Sequence, residues 1–351
     1  MILLYLFLRV KWNRQSTIRE RLRRIDYIGN AILIAATVST LIALTWANTV
    51  HPWSSAQVIV PLVVGLAGLG AFLWFEGSGL VPEPVMPLRL FANRTAAILY
   101  ATTFLNAVTV YWITFFLPLY FMSVLLSSPS WTGVQALPLA LVAIPGAALS
   151  AVALSRWGRY KPLHIAGFAL NTLGFGLFSL LDKNSSTAAW VCFELVFAFG
   201  LGMLLNTILP AFQNGVAEAD QAAATASWAF VRSLGAVWGV AIPAAVFNSY
   251  AARYSVAVSD PAVRSIFQSG NAYASASSRF ITSFAEPLRG EIVEVYTQAL
   301  RKTYVIGVAF GGFAFLLSLL EREATLRTEL ETEFGLEERK KEGSGDSSGG
   351  V

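Results

Sequence analysis

Apolar runs of about twenty residues recur along this chain, and no other feature constrains its fold as strongly. A helix needs about 20 residues to cross roughly 30 Å of hydrocarbon, where each backbone N–H and C=O must find its partner inside the segment. Such runs occur at about 28–48, 57–75, 96–118, 134–154, 163–181, 188–209, 224–247 and 303–320. The pattern predicts an all-α polytopic membrane protein with about eight full transmembrane helices. Ahead of them, Met1 to Leu8 is apolar, too short to span, and lacks a preceding charged stretch. It reads as the end of a truncated first helix and not as a signal peptide.

Composition excludes most other classes. Of 351 residues, 55% are hydrophobic and 13% charged, against a usual share of about 25% charged, so no large soluble domain is present. The net charge of +4 arises from Lys and Arg in short connections, which argues against nucleic acid as a partner. Cys192 is the only cysteine, and His51 and His164 stand apart. This excludes a disulfide within the chain, suggests no metal site, and gives no sign of a cofactor. There is no P-loop, GxGxxG or Ser-His-Asp arrangement. A membrane-embedded enzyme would need clustered His, Asp or Glu within spans, and only Glu194 qualifies.

Basic residues set the topology. Arg9 to Arg24 holds seven basic residues and one Glu, which marks the cytoplasmic side. Arg89, Arg94, Arg156, Arg159 and Lys161 fall in alternate connections, while those near Asn48 to Ser55 and Ser127 to Thr132 hold no Lys or Arg. The chain divides into a truncated helix end and basic linker (1–27), two central helices (28–76), a cytoplasmic connection (77–95), a six-helix unit (96–320) and a cytoplasmic, largely disordered tail (321–351). Within the six-helix unit, 249–302 forms a long outer connection with short helices around 260–268 and 289–300. Trp46, Trp53, Trp74, Trp131, Trp157 and Trp190 fall near span ends, as an aromatic belt requires.

Ionisable and polar residues inside spans are costly, so they are the first functional candidates. Trp190 to Phe247 reads as a membrane hairpin, with polar, turn-forming Pro210 to Gln221 between its two arms. Glu194, Ala198, Gly202 and Asn206 form a ridge at four-residue spacing, and Gly235 and Gly239 form a GxxxG. Both faces suit close helix approach. Glu194 either titrates during function or contacts a cationic ligand, or else it hydrogen-bonds a neighbouring helix and supports packing. Arg232 either snorkels to the interface or contacts a cavity. Thr102, Asn106 and Thr109 form a polar stripe that could line a path or bond to a neighbouring helix. Arg156, Gly158, Arg159 and Lys161 either control topology or make gating contacts. Tyr111, Trp112, Phe115 and Tyr120 either stack on an aromatic ligand or pack. Pro118, Pro138, Pro145 and Pro243 mark kinks.

Several motifs in one order resemble a known family. Leu41-Ile-Ala-Leu-Thr-Trp-Ala-Asn48, Pro52-Trp-Ser-Ser55 and Pro82-Glu-Pro-Val-Met-Pro-Leu-Arg-Leu-Phe-Ala-Asn-Arg94 resemble the central part of fungal fourteen-span major facilitator transporters. Gly133-Val-Gln-Ala-Leu-Pro138, Gly158-Arg-Tyr-Lys-Pro162 and Trp228-Ala-Phe-Val-Arg-Ser-Leu-Gly235 resemble its drug:proton antiporter branch. The likeness covers roughly residues 20 to 320. It implies a major facilitator fold lacking its N-terminal six-helix half, with 28–48 and 57–75 as the central pair. It further implies that the first and fourth helices of the half, which carry Asn106 and Glu194, line the cavity. Ser155 stands where the family's loop motif has an Asp. The implied function of the complete protein is efflux of small hydrophobic or amphipathic molecules, such as drugs, toxins or secondary metabolites, by proton antiport. The implied partners are the lipid bilayer, a small-molecule substrate, protons and the missing N-terminal half, with the plasma membrane ahead of vacuolar or other endomembranes. Alternatives are siderophore or other solute transport by a related facilitator, and a truncated membrane protein that does not transport.

Overall fold

The structure is a computed structural model and describes residues 26–323, apart from 48–49, 81–83, 85, 87, 92 and 217–219. Residues 1–25 of the expected helix end and linker (1–27) and residues 324–351 of the expected tail (321–351) lie outside the described residues. Among the described residues, seven helical stretches are long and apolar enough to cross a membrane. These are α1 (Tyr27–Trp46), α2 (Ala56–Gly77), α3 (Arg94–Ser123), α4 (Pro129–Gln135) continued by α5 (Leu137–Trp157), α7 (Thr187–Leu205) continued by α8 (Ile208–Asn214), α9 (Gln221–Tyr254) and α12 (Leu288–Leu319).

The sequence predicts eight such helices, and the difference lies at 163–181. A helix is there, α6 (Lys161–Phe178), but Lys161, His164 and Asn171 make it less apolar than the others. His164 and Asn171 expose no surface, because α6 is packed between α7 and α12. Its polar residues therefore meet protein and not lipid.

Small residues set how closely the helices approach. In the α1–α2 hairpin, a Cβ added to Gly65 would lie 2.1 Å from Thr40 Oγ1, and Ser39 Oγ donates to the Pro61 carbonyl at 2.8 Å. The N-terminus of α1 is capped by Asp26 Oδ1, which accepts from Gly29 N–H at 2.7 Å. Asn93 caps α3 in the same way.

The bundle is built around α3, which packs on both α9 and α12, while α7 packs on α5 and α6. Gly235 and Gly239 of α9 lie against the carbonyls of Phe104 and Val108 of α3, as the GxxxG predicts. Trp112, Phe116, Phe175, Phe178, Phe197 and Tyr304 are buried between these helices. Their rings meet mostly edge-on or tilted, with Trp112 and Phe175 centroids 5.9 Å apart at 84°. Five of the six belt tryptophans are exposed, but Trp190 is buried with its ring edge-on to Phe121 at 5.1 Å. It packs inside the bundle and does not join the belt.

The two ends of the bundle differ. At one, here called the basic end, lie Arg89, Arg156, Arg159 and the residues following α12. At the other, the connection between α9 and α12 folds into a cap. Helices α9 and α12 take up both ends of the expected 249–302 connection, leaving 255–287 between them. The expected helix at 260–268 is α10 (Pro261–Gln268), capped by Asp260. A short α11 (Ser278–Thr282) follows, whereas the expected helix at 289–300 is the first part of α12. Val258, Phe267, Ala272 and Ile281 are fully buried, and the Tyr296 hydroxyl donates to the Ala272 carbonyl at 3.0 Å. The cap thus shares one apolar core with the bundle. At its end, a hydrogen bond from Arg289 Nε at 2.9 Å is the main cause holding the Glu286 carboxyl below the usual carboxylate range.

Candidate functional site

The ridge on α7 is built as its spacing suggests for three of its four positions. Ala198 is fully buried, and a Cβ on Gly202 would lie 2.2 Å from the Ala143 carbonyl of α5. Across the same crossing, a Cβ on Gly146 would lie 2.8 Å from the Phe199 carbonyl. These contacts bring the two backbones together and place Glu194 between α7 and the first turn of α5. Glu194 exposes no surface. Neither carboxyl oxygen has a hydrogen-bond partner of ordinary geometry, and the donor directed at it is the Leu139 backbone N–H. The N-terminal end of a helix is where its dipole favours an anion. Tyr304 of α12 lies within electrostatic reach of Glu194 and Tyr120. Its hydroxyl donates to the Phe116 carbonyl at 2.8 Å, and that of Tyr120 to the Asp182 carbonyl at 2.8 Å.

Asn206 leaves the ridge. It is exposed at the C-terminal cap of α7, where the helix breaks before resuming as α8. The expected turn from Pro210 to Gln221 is thus helical as far as Asn214.

On α3 the three polar residues differ. Thr102 and Thr109 are buried, and their hydroxyls donate to the carbonyls of Leu99 and Asn106 at 3.1 and 2.9 Å, within their own helix. Asn106 is half-buried and its Oδ1 accepts no hydrogen bond. Of the aromatic residues, Trp112 and Tyr120 are buried packing, while Tyr111 and Phe115 are partly exposed with near-parallel rings 6.5 Å apart. Arg232 is exposed, its guanidinium 5.4 Å from the centroid of the Trp228 ring. Glu194, Asn106 and Arg232 therefore occupy separate places on three helices.

The loop between α5 and α6 turns at Gly158, which has φ of 62° and donates its N–H to the Leu154 carbonyl at 2.8 Å. Only glycine takes this left-handed conformation without strain. Arg156 and Arg159 are exposed and Lys161 is half-buried. Arg159 Nε lies 3.7 Å from Glu323.

Two constellations escape sequence reasoning. His164, which stands alone in the sequence, has its Nδ1 2.7 Å from Glu321 Oε2, with both side chains fully buried. At the same end of the chain's first hairpin, Asp26 and Glu76 are both buried. A Cβ on Gly29 would lie 2.0 Å from Asp26 Oδ2 and 2.8 Å from Glu76 Oε1, so the two carboxyls face one spot. Glu76 Oε2 also accepts from Met86 N–H at 2.9 Å. Sequence offers one signal for each pair: an ionisable residue within a turn of a span's end, at a depth matched by one on another span.

Fold and site together define an all-α polytopic integral membrane protein with ionisable groups enclosed between its helices. Comparison with known proteins narrows the class. Residues 5–132 match the sequence model of the fungal trichothecene efflux pump family (TRI12). The chain is 48% identical over 346 residues to the MFS-type transporter TwmF of Talaromyces wortmannii, covering 98% of this chain and 62% of that protein. It is 42% identical over 347 residues to the MFS-type efflux transporter ffsH of Aspergillus flavipes, covering 99% and 61% respectively. It is 39% identical over 342 residues to the efflux pump FUS6 of Gibberella fujikuroi, covering 97% and 62%. The chain thus spans about three fifths of the length of the curated relatives it matches.

Proposed function

We propose that this chain is part of a fungal major facilitator efflux transporter, comprising the two central helices of a fourteen-span protein and its C-terminal six-helix half. The observation that carries the reading is identity of 39–48% along nearly the whole chain to proteins named as MFS-type transporters or efflux pumps. The described helices support it: α1 and α2 form a hairpin of their own, and α3, α4–α5, α7–α8, α9 and α12 are long and apolar enough to cross, with α6 packed between α7 and α12 as the sixth helix of the unit. In the complete protein a second half would close the opposite wall of the substrate path, and the halves would rock about a midplane site.

On this reading the basic end is cytoplasmic and the cap faces outward. The cargo is a small hydrophobic or amphipathic molecule such as a toxin or secondary metabolite, export is driven by protons, and the plasma membrane is its place. Glu194 is the proposed coupling group, because it is an enclosed carboxyl without a fixed partner between α5 and α7. Asn106, with a free carbonyl oxygen on α3, is the proposed polar contact on the path. Thr102, Thr109, Asn206 and Arg232 have weaker claims, since the two threonines are bonded within their helix and the other two are exposed. Arg156, Gly158, Arg159 and Lys161 form the proposed gating loop. The test is expression in a drug-sensitive yeast of this chain and of a gene extended to the relatives' length. Export by the longer form alone is expected. Export by the 351 residues would overturn the half-transporter reading, and a folded, membrane-resident long form without export would overturn efflux.

A further inference from the structure

Two adjoining cavities open at the cap end, where the connection between α6 and α7 meets α12. The first, of about 300 Å³, is lined by Asp182, Lys183 and Asn184 of that connection and by Glu294, Gln298 and Arg301 of α12. The second, of about 380 Å³, shares Lys183, Glu294 and Gln298 and adds Tyr254 at the end of α9 and Glu291. Both volumes fall in the range of small-molecule sites, about 300–1,000 Å³.

The charges are sorted along these cavities. Lys183 and Arg301 are exposed, and among the described residues neither side chain makes a hydrogen bond or an ion pair. Lys183 also lies within electrostatic reach of Glu286, whose carboxyl is bonded to Arg289. Each lining carboxylate is held by one oxygen: Asp182 Oδ1 accepts from Asn184 N–H at 2.8 Å, Glu294 Oε1 from Gln298 Nε2 at 2.7 Å, and Glu291 Oε2 from Ser259 N–H at 2.7 Å. Two cations suit a phosphate, and two glutamates beside an aromatic ring suit an ammonium. An anion alone would face Asp182 and Glu294, and a cation alone would face Lys183 and Arg301, so the set favours one ligand that carries both charges. Glu294 and Arg301 are seven residues apart on α12, about 10 Å at 1.5 Å per residue, which leaves room between their side chains for a phosphate and an ammonium joined by two carbons.

The cavities also lie at the edge of the hydrocarbon. Arg301 and Lys302 are the last charged residues of α12 before the uncharged run Thr303 to Leu320, and Asp182 and Lys183 directly follow the run Ile165 to Leu181. On the apolar side of these charges, Leu180 and Val305 are exposed. Along α12 the order is therefore apolar Val305, cationic Arg301, then acidic Glu294 and Glu291, which matches acyl chain, phosphate and ammonium in a phospholipid that lies in the same bilayer. We propose that the two cavities bind the headgroup of a zwitterionic phospholipid, with its phosphate between Lys183 and Arg301, its ammonium between Glu291 and Glu294 beside Tyr254, and its chains along Leu180 and Val305. The site depends on the membrane class of the chain and not on what the complete protein carries.

Native mass spectrometry of the full chain in detergent, titrated with single lipids, reads the site. Phosphatidylethanolamine should bind about fivefold more tightly than phosphatidylglycerol, which has the phosphate without the ammonium, as one partly exposed ion contact allows. The double change Lys183→Gln, Arg301→Gln should weaken phosphatidylethanolamine about tenfold through two such contacts. Glu294→Lys should reverse the preference in favour of phosphatidylglycerol. All three positions are exposed, so the variants should fold. Lys302→Gln removes a cation of the same depth that does not line either cavity and should leave both affinities unchanged. Water-soluble glycerophosphoethanolamine should bind about a hundredfold more weakly than the lipid, since it lacks the chains, each buried CH₂ of which is worth about 0.8 kcal/mol. Equal affinity for the two lipids, no loss in the double variant, or an equal loss in Lys302→Gln would overturn the headgroup site, and soluble ester bound as tightly as lipid would overturn a lipid as its occupant.

Discussion

Gly202 of α7 and Ala143 of α5 meet so closely that a Cβ on the glycine would lie 2.2 Å from the alanine carbonyl oxygen. The obstacle is backbone, so no side-chain rotation can relieve it. Gly202→Val should separate α5 from α7, disturb the enclosure of Glu194 and cost about 3 kcal/mol or more. Gly176 of α6 gives the contrast, since a Cβ there meets nothing within 4 Å. Gly176→Ala should leave stability unchanged or raise it by up to about 1 kcal/mol, because alanine is the better helix former. Thermal unfolding in detergent would separate the two. Equal effects would mean that the α5–α7 approach is not the constraint it looks to be.

Tyr304 ties α12 to α3 across 188 positions of sequence through its hydroxyl on the Phe116 carbonyl, at 2.8 Å and fully buried. Tyr304→Phe keeps the ring among Phe178 and its neighbours and removes one hydrogen bond. Interhelical hydrogen bonds in membranes are worth about 0.6 kcal/mol on average, so a loss of roughly 1 kcal/mol is expected. Tyr304→Ala also removes the ring and should cost about 3–5 kcal/mol. A Phe variant as unstable as the Ala variant would make the hydroxyl, not the packing, dominant.

The sidedness of the ends is open to labelling. Ser155 lies exposed at the end of α5 beside Arg156, and Ser269 lies exposed at the end of α10 in the cap. In a Cys192→Ser background, an impermeant thiol reagent added to intact cells should label Ser269→Cys and leave Ser155→Cys unmodified until the membrane is permeabilised. Labelling of both in intact cells would remove the proposed topology.

Sequence shows the crossings plainly, because a run of apolar residues long enough for hydrocarbon has few other uses. It shows close helix faces nearly as well: Gly235 and Gly239, and the ridge from Glu194 to Gly202, do meet neighbouring helices. Its weakness is where tertiary burial replaces lipid. α6 reads as one span among eight, yet its His164 and Asn171 are placed by contacts that no local pattern encodes. Trp190 shares the position of the belt residues, and only its contact with Phe121 sets it apart. The stripe Thr102, Asn106, Thr109 has correct helical spacing, but a threonine hydroxyl can always satisfy itself on its own helix. The partnership of His164 with Glu321 spans 157 positions, and composition marks both residues merely as isolated.

Glu194 is the residue on which the proposed mechanism rests. It sits where α7 crosses the first turn of α5, with the Leu139 N–H directed at it and no side chain fixed to either oxygen. A carboxyl so placed can change its proton without breaking a structural bond, which a coupling group requires and a packing group does not. Glu194→Gln keeps shape and one acceptor while removing titration. In the complete transporter it should fold, reach the membrane and lose the dependence of export on external pH, with the export rate falling about tenfold or more where a proton gradient is the sole driving force. Glu194→Leu should lose export and also stability, because the side chain changes shape against α5. Export by the Gln variant that follows external pH as the native protein does would leave Glu194 as packing, and coupling would then have to be sought elsewhere.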